Sequence, residues 1–330
     1  MDRIHVSKIQ KRESIAAVRT AVAMGRVAAL SLALTMVAAC SEEKAVENAP
    51  LSVSEAQYLS EENLWRIQRQ ENLTQPDGWS SLIGLHWLTL ESHYVGSSAR
   101  SGIRMAMGPE SLGMFQRKGG KVFFTPDRGL ALTLDGEPLK GRVELKDDSK
   151  GPASVLGFDE GKGKLTVIER GGNRALRVKH ADAPSRIQFK GLDYWPANLD
   201  WRIEATFVPN PAGTTLPIAT IIGTTENIPN PGAVEFEREG KAYRIEALDQ
   251  GEATLSLIIA DRTSGHESYG AGRYLDVPRP DAKGKVVVDF NRAYNPPCAF
   301  TPFATCPLPP NQNRLDLAIT AGEKRYGVKQ

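Results

Sequence analysis

The chain has 330 residues, 41% of them hydrophobic and 24% charged, and a formal net charge of +2. The basic excess sits in the first forty residues, which hold six of the 41 Lys and Arg and two of the 39 Asp and Glu. The remainder carries 35 basic and 37 acidic side chains, a net of −2. No basic stripe is left there to neutralise phosphates, so nothing points to a nucleic-acid partner.

The N-terminal region reads as a targeting segment. Residues 27–40, Val-Ala-Ala-Leu-Ser-Leu-Ala-Leu-Thr-Met-Val-Ala-Ala-Cys, are apolar but shorter than the roughly 20 helical residues that span a bilayer core. Arg26 precedes the run and small residues end it, as in a secretory signal. Val37-Ala38-Ala39-Cys40 resembles the lipobox of bacterial lipoproteins, in which the cysteine is lipidated and becomes the mature N-terminus. The resemblance implies a signal peptide over 1–40, lipidation at Cys40 and a place on the periplasmic face of the envelope, with the membrane as partner through the anchor. A cleaved signal with an incidental cysteine is the alternative. Ser41 after the cysteine leans towards the outer membrane, and Met24-Gly25-Arg26 offers a second start besides Met1.

Residues 41–52 are small and polar, a tether. Ser52-x-x-Glu55 reads as a capping box opening a helix over 53–75, with Tyr58 and Trp65, and Leu64 and Ile67, spaced to make one face apolar. Pro76-Asp77-Gly78 then turns the chain.

From Trp79 onwards strand and turn signals dominate. Short β-rich runs at 121–125, 131–134, 142–145, 164–169 and 174–178 are divided by Gly, Asp or Pro, with hairpin signals at Asp135-Gly136 and Gly171-Gly172. Further runs follow at 201–208, 217–223, 233–237, 241–248, 254–260 and 285–289. The pattern predicts a mainly β fold, two small sandwich-like or barrel-like units preceded by one N-terminal helix. The first unit is expected over 78–150 and the second over 154–330, joined by the Gly-, Asp- and Lys-rich segment near 147–163.

The chemistry-bearing residues concentrate in 261–314, an irregular, proline-rich stretch. Ordering irregular backbone is costly, so polar side chains held in it are candidates for function. His266 lies beside Thr263-Ser264-Gly265 and Glu267. Tyr269-Gly270-Ala271-Gly272-Arg273 has glycines that let Tyr269 and Arg273 project to one site. Asp289, Asn291, Tyr294 and Arg314 complete the candidate binding set; the alternative is that these groups satisfy the backbone of the loop around them. Cys298 and Cys306, separated by seven residues, fit a disulfide in an oxidising compartment, a metal pair completed by His266, or free thiols; the compartment favours the disulfide. Among the other histidines, His86 reads as a packed strand residue, His93 as solvent-facing and His180 as a loop residue.

The run 263–314, with Tyr269-Gly270-Ala271-Gly272-Arg273 and Asn291-Arg292-Ala293-Tyr294-Asn295-Pro296-Pro297-Cys298, resembles the bacterial family catalogued as domain of unknown function (DUF) 1684. The similarity reaches back to Gly78-Trp79-Ser80-Ser81-Leu82-Ile83-Gly84-Leu85-His86-Trp87-Leu88. It implies an architecture and no reaction. No nucleophile elbow, zinc-binding His-Glu-x-x-His or phosphate-binding Gly-rich loop is present, and no cofactor or metal is implied. The expectation is a protein that binds a small ligand or an envelope partner through 261–314. A hydrolase built from His266, Arg273, Asp289 and Asn291 is the alternative, and a scaffold without a small-molecule site the third.

Overall fold

The computed structural model describes residues 54–327. The expectations for the 1–40 signal, the Cys40 anchor, the start codon and the 41–52 tether fall outside the described residues. Strand accounts for 41% of the described residues and helix for 16%, and among them no sheet closes into a barrel, so the fold is mainly β.

Helix α1 spans Glu55–Leu73 and is capped by Ser54, whose side chain accepts the Gln57 N–H at 3.2 Å. The capping residue is therefore Ser54 and not the Ser52 of the expected box. The docked face keeps Tyr58 and Trp65 of the expected apolar face but not Leu64 and Ile67. Leu64 and Ile67 stand 63% and 48% exposed, while Tyr58, Glu62 and Leu73 are buried. The reason is the surface the helix meets, which is made of carboxylates, an arginine and carbonyl groups. Tyr58 donates to Asp289, Glu62 pairs with Arg292, and Arg69 pairs with Glu323.

The first lobe holds eleven strands, β1 (Leu82–Trp87), β2 (Ser92–Gly96), β3 (Ile103–Arg104), β4 (Gly113–Lys118), β5 (Lys121–Pro126) and β6 (Thr133–Leu134), then β7 (Glu137–Pro138), β8 (Val143–Leu145), β9 (Val155–Phe158), β10 (Gly163–Arg170) and β11 (Asn173–His180). They form two sheets, ordered β1-β11-β10-β9-β6-β7 and β3-β2-β4-β5-β8. One core lies between them, with Phe115, Phe124, Leu156, Phe158, Leu165 and Leu176 among its buried members. Two tight hairpins are written locally. Asp135 and Gly136 both take positive φ, 52° and 90°, between β6 and β7, and Gly171 and Gly172 do the same at 57° and 82° between β10 and β11, the geometry that two-residue hairpin loops require.

The sequence assigns 155–183 to the second unit, but β11 pairs with β1 along Leu82–Trp87, and Leu156, Leu165 and Val178 fill the first core. The Gly- and Lys-rich segment before β9 is thus a turn inside the first lobe. Partner choice explains the difference. A strand's own residues report that it is a strand, while its neighbour is decided by the faces it must bury.

The short helix α2 (Pro184–Ile187) follows β11, and the second lobe comes after it. Its strands are β12 (Arg202–Pro209), β13 (Thr215–Ala219), β14 (Thr225–Pro229), β15 (Gly232–Arg238), β16 (Lys241–Ala247), β17 (Thr254–Ile259), β18 (Arg273–Pro278) and β19 (Lys285–Asp289). A four-stranded sheet, β16-β15-β12-β19, packs against the hairpin β17–β18. Val234, Ile245, Val286 and Val288 of the sheet share a core with Leu255, Leu257, Ile259, Leu275 and Val277 of the hairpin. The proline-rich segment that follows β19 lies along the seam between lobes. Thr301 donates to the Leu82 carbonyl and Arg170 donates to Thr305, while the Ile221 N–H reaches the Cys306 carbonyl. No described helix is long and apolar enough to cross a membrane.

Candidate functional site

Arg273, the most prominent candidate in the sequence, is 1% exposed and belongs to the interior. Its guanidinium bonds Asp261 at 2.7 Å and the carbonyls of Ile319 and Ala321, and stacks 5.1 Å from the Trp195 ring. Burial lowers its pKa and Asp261 opposes the shift. The group therefore ties the start of β18 to the C-terminal strap. Gly272 makes this possible: at φ 92° it brings the backbone so close to Pro309 and the Ile259 carbonyl that a Cβ would sit 2.4–2.5 Å from each. Tyr269 goes elsewhere and donates to the Cys298 carbonyl at 3.0 Å, so the two residues do not meet at one site.

Asp289 and Asn291 also work internally. Asp289 accepts from Tyr58 and from the Asn291 backbone and side chain, and Asn291 exchanges two hydrogen bonds with the backbone of Asn198. These bonds close the turn after β19 and seat α1 on it. His266 and Arg314 are exposed. Of the four residues of the hydrolase reading, Asp289 and Asn291 meet each other, while Arg273 is turned to Asp261 and the interior and His266 is exposed. Cys298 and Cys306 are free thiols in this structure, and the Cys298 N–H donates to Cys306 Sγ at 3.1 Å. Among the described residues no group of three or more His, Cys, Asp and Glu is placed to hold a metal ion.

Two histidines sit differently from their sequence reading. His93 is buried, and its Nε2 accepts the Leu90 N–H at 3.0 Å. His180 ends β11 in the interior, with Nδ1 accepting the Asp182 N–H. Burial lowers the pKa of His93, with Arg117 adding to it, and burial alone lowers that of His86.

The site that does assemble is a cleft of about 680 Å³ between α1 and the outer face of β17–β18. The helix contributes Trp65, Gln68, Arg69 and Asn72, spaced i, i+3, i+4 and i+7 along one face. Strand alternation contributes the rest of the wall: Leu255, Leu257, Leu275 and Val277 point into the core, so Thr254, Ser256, Tyr274 and Asp276 point out. Tyr294 is held beside Tyr274 by two backbone hydrogen bonds of 2.8 Å and donates its hydroxyl to Asp276 at 3.0 Å. Ser256 donates to the other Asp276 oxygen at 3.0 Å. Arg69 lies 4.7 Å from the Tyr294 ring centroid, with its charge met by Glu323 at 2.8 Å. Burial, then the Asp276 carboxylate, raises the Tyr294 pKa and keeps the phenol a neutral donor. Leu73, Trp79, Gln250, Glu252, Ala253 and Pro297 complete the lining.

Of the seven binding candidates in the sequence, Tyr294 alone lines this cleft. Trp65, Tyr274 and Asp276 were missed as site residues. The available signals were the spacing on α1 and the alternation of β18, where polar Asp276 stands between apolar Leu275 and Val277.

This geometry can be set beside known proteins. No curated protein matches the chain. A solution NMR structure of an uncharacterized protein from Haloarcula marismortui is similar at 30% identity, with a TM-score of 0.36, over 42% of this chain and 78% of that one. The family model described as protein of unknown function (DUF1684) matches residues 187–324, a segment that supplies β12–β19, Tyr274, Asp276 and Tyr294. Over this segment the chain is similar to that family, protein of unknown function DUF1684.

Proposed function

We propose that the protein is a lipid-anchored component of the bacterial cell envelope that binds a small ligand in the cleft between α1 and β17–β18. The observation that carries the binding reading is the lining. Trp65, Tyr274 and Tyr294 provide ring surface, and Gln68, Asn72, Glu252 and Asp276 provide hydrogen-bonding groups. A volume of about 680 Å³ suits a small molecule, and rings set among many hydrogen-bonding groups suit a polar one. Among the described residues neither Glu252 nor Asp276 has an ion-pair partner, which disfavours anionic ligands. The stretch 261–314 takes part through Tyr274, Asp276, Tyr294 and Pro297. The anchor rests on the lipobox-like Val37-Ala38-Ala39-Cys40 and places the protein on the periplasmic face, leaning to the outer membrane through Ser41.

A thermal-shift screen tests the binding reading, run on the wild type, Trp65→Ala and Asp276→Asn with tetramethylammonium, primary diamines and neutral oligosaccharides. Binding in the cleft raises the wild-type melting temperature and spares both variants. Equal shifts in all three proteins, or none in any, would remove the cleft as the site. Labelling cells with a radioactive fatty acid tests the anchor: label is expected on the wild type and absent from Cys40→Ala.

A further inference from the structure

The two cysteines occupy positions that the cleft does not explain. Cys298 sits in the single turn Pro297–Ala299, and Cys306 lies where the proline-rich segment rejoins the second lobe. Each is pinned without a covalent link. The Tyr269 hydroxyl holds the Cys298 carbonyl at 3.0 Å, and the Ile221 N–H holds the Cys306 carbonyl at 2.9 Å. The Tyr274 hydroxyl holds the next carbonyl, that of Pro307, at 2.7 Å. The result is a short return loop whose two ends meet, with the Cys298 N–H on Cys306 Sγ at 3.1 Å.

Their exposures differ. Cys298 is half-buried, whereas Cys306 is 5% exposed. The protonation balance follows the same direction. Hydrogen bonding from the Cys306 thiol lowers the pKa of Cys298, while hydrogen bonding to Cys298, together with burial, pushes that of Cys306 up. The thiolate is the attacking form, so the reachable sulfur is also the readier nucleophile. An accessible cysteine beside a resolving one is the arrangement of a reversible thiol pair.

We propose that Cys298 and Cys306 form a thiol–disulfide exchange site for small aliphatic disulfides, with Cys298 attacking and Cys306 resolving. The Cys298 thiolate attacks one sulfur of the substrate, breaks its S–S bond and expels one thiolate, leaving a mixed disulfide on Cys298. Cys306 then loses its proton and attacks Cys298 Sγ, expelling the second thiolate. The substrate is reduced to two thiols, which take up the two protons released by the cysteines, and the protein is oxidised to the Cys298–Cys306 disulfide. The free thiols of this structure are the reduced member of the couple. The pair is independent of what the cleft binds.

The test treats the reduced full chain with oxidised glutathione, quenches with acid, alkylates the remaining thiols and reads each cysteine by peptide mass. The wild type is expected to yield a Cys298–Cys306 bridge, and Cys306→Ser to stop at glutathione on Cys298. In Cys298→Ser, shielding of Cys306 is expected to slow modification by about tenfold or more. Because a variant can lose its fold, the order of alkylation in the untouched native wild type is the second measurement, and Cys298 is expected first. Alkylation of Cys306 first, or glutathione on both wild-type cysteines without a bridge, would overturn the proposal. So would a native chain that stays unreactive while the urea-unfolded chain forms the bridge.

Discussion

Arg273 and Asp276 are three residues apart on one strand and have opposite fates. Arg273 spends its two terminal guanidinium nitrogens on Asp261 and the carbonyls of Ile319 and Ala321, at 1% exposure. Asp276 lies on the opposite, outward face, accepts from Ser256 and Tyr294, and remains open to the cleft. Strand alternation alone separates them, since positions an odd number of residues apart face opposite ways. A charged side chain in a loop-rich region is therefore not by itself a sign of a ligand. What matters is whether its hydrogen-bonding capacity is consumed inside the fold.

The largest effect expected from this contrast is at Arg273. Arg273→Ala leaves Asp261 buried without its partner, and truncating one half of such a pair costs about 3–5 kcal/mol. Urea unfolding measures it, and a variant as stable as the wild type would return Arg273 to the list of site candidates. Arg69→Ala tests the same logic where α1 is docked. It strands Glu323, which is 0% exposed, and is expected to cost about 2–3 kcal/mol. Asp276→Asn should move stability by less than about 1 kcal/mol, because an amide oxygen still accepts one of the two hydroxyls. Its effect belongs on ligand binding, and a large loss of stability there would erase the distinction between the two positions.

Smaller still are Leu64→Ser and Ile67→Ser, each expected within about 0.5 kcal/mol of the wild type, since both side chains face solvent. A cost above about 2 kcal/mol would mean that the apolar face of α1 is the docked one after all.

A pH experiment probes the first lobe. His93 is held neutral by burial, with its Nε2 accepting the Leu90 N–H, so its folded pKa lies below the ordinary 6.5. Below pH 6.5 the unfolded chain then binds more protons than the folded one, and stability falls as pH is lowered towards the folded value. His93→Gln should flatten that slope in unfolding curves taken from pH 7 downwards. An unchanged slope would assign it to other groups, His86 among them.

How much of this was legible beforehand depends on the range of the interaction. The turns at Asp135-Gly136 and Gly171-Gly172 and the existence of α1 were readable, because positive φ, capping and helix propensity are properties of adjacent residues. The docked face of α1 was legible at Tyr58 and Trp65 but misread at Leu64 and Ile67. Apolar spacing marks the face a helix buries only when its partner surface is apolar, and here the partners are Asp289, Arg292 and Glu323. The cleft was legible only at Tyr294, since Trp65, Tyr274 and Asp276 come from segments far apart in the chain.

The amino-acid sequence by itself determined that this is a mainly β protein with one leading helix, because strand alternation, turn residues and helix periodicity act over a few neighbouring positions. It also determined that chemistry-bearing residues crowd into 261–314. Tertiary structure alone decided which strands pair, with β11 closing onto β1, and which of the crowded side chains would be consumed by the interior. Those outcomes depend on contacts between distant segments, where burying one polar group requires a partner that no local pattern names.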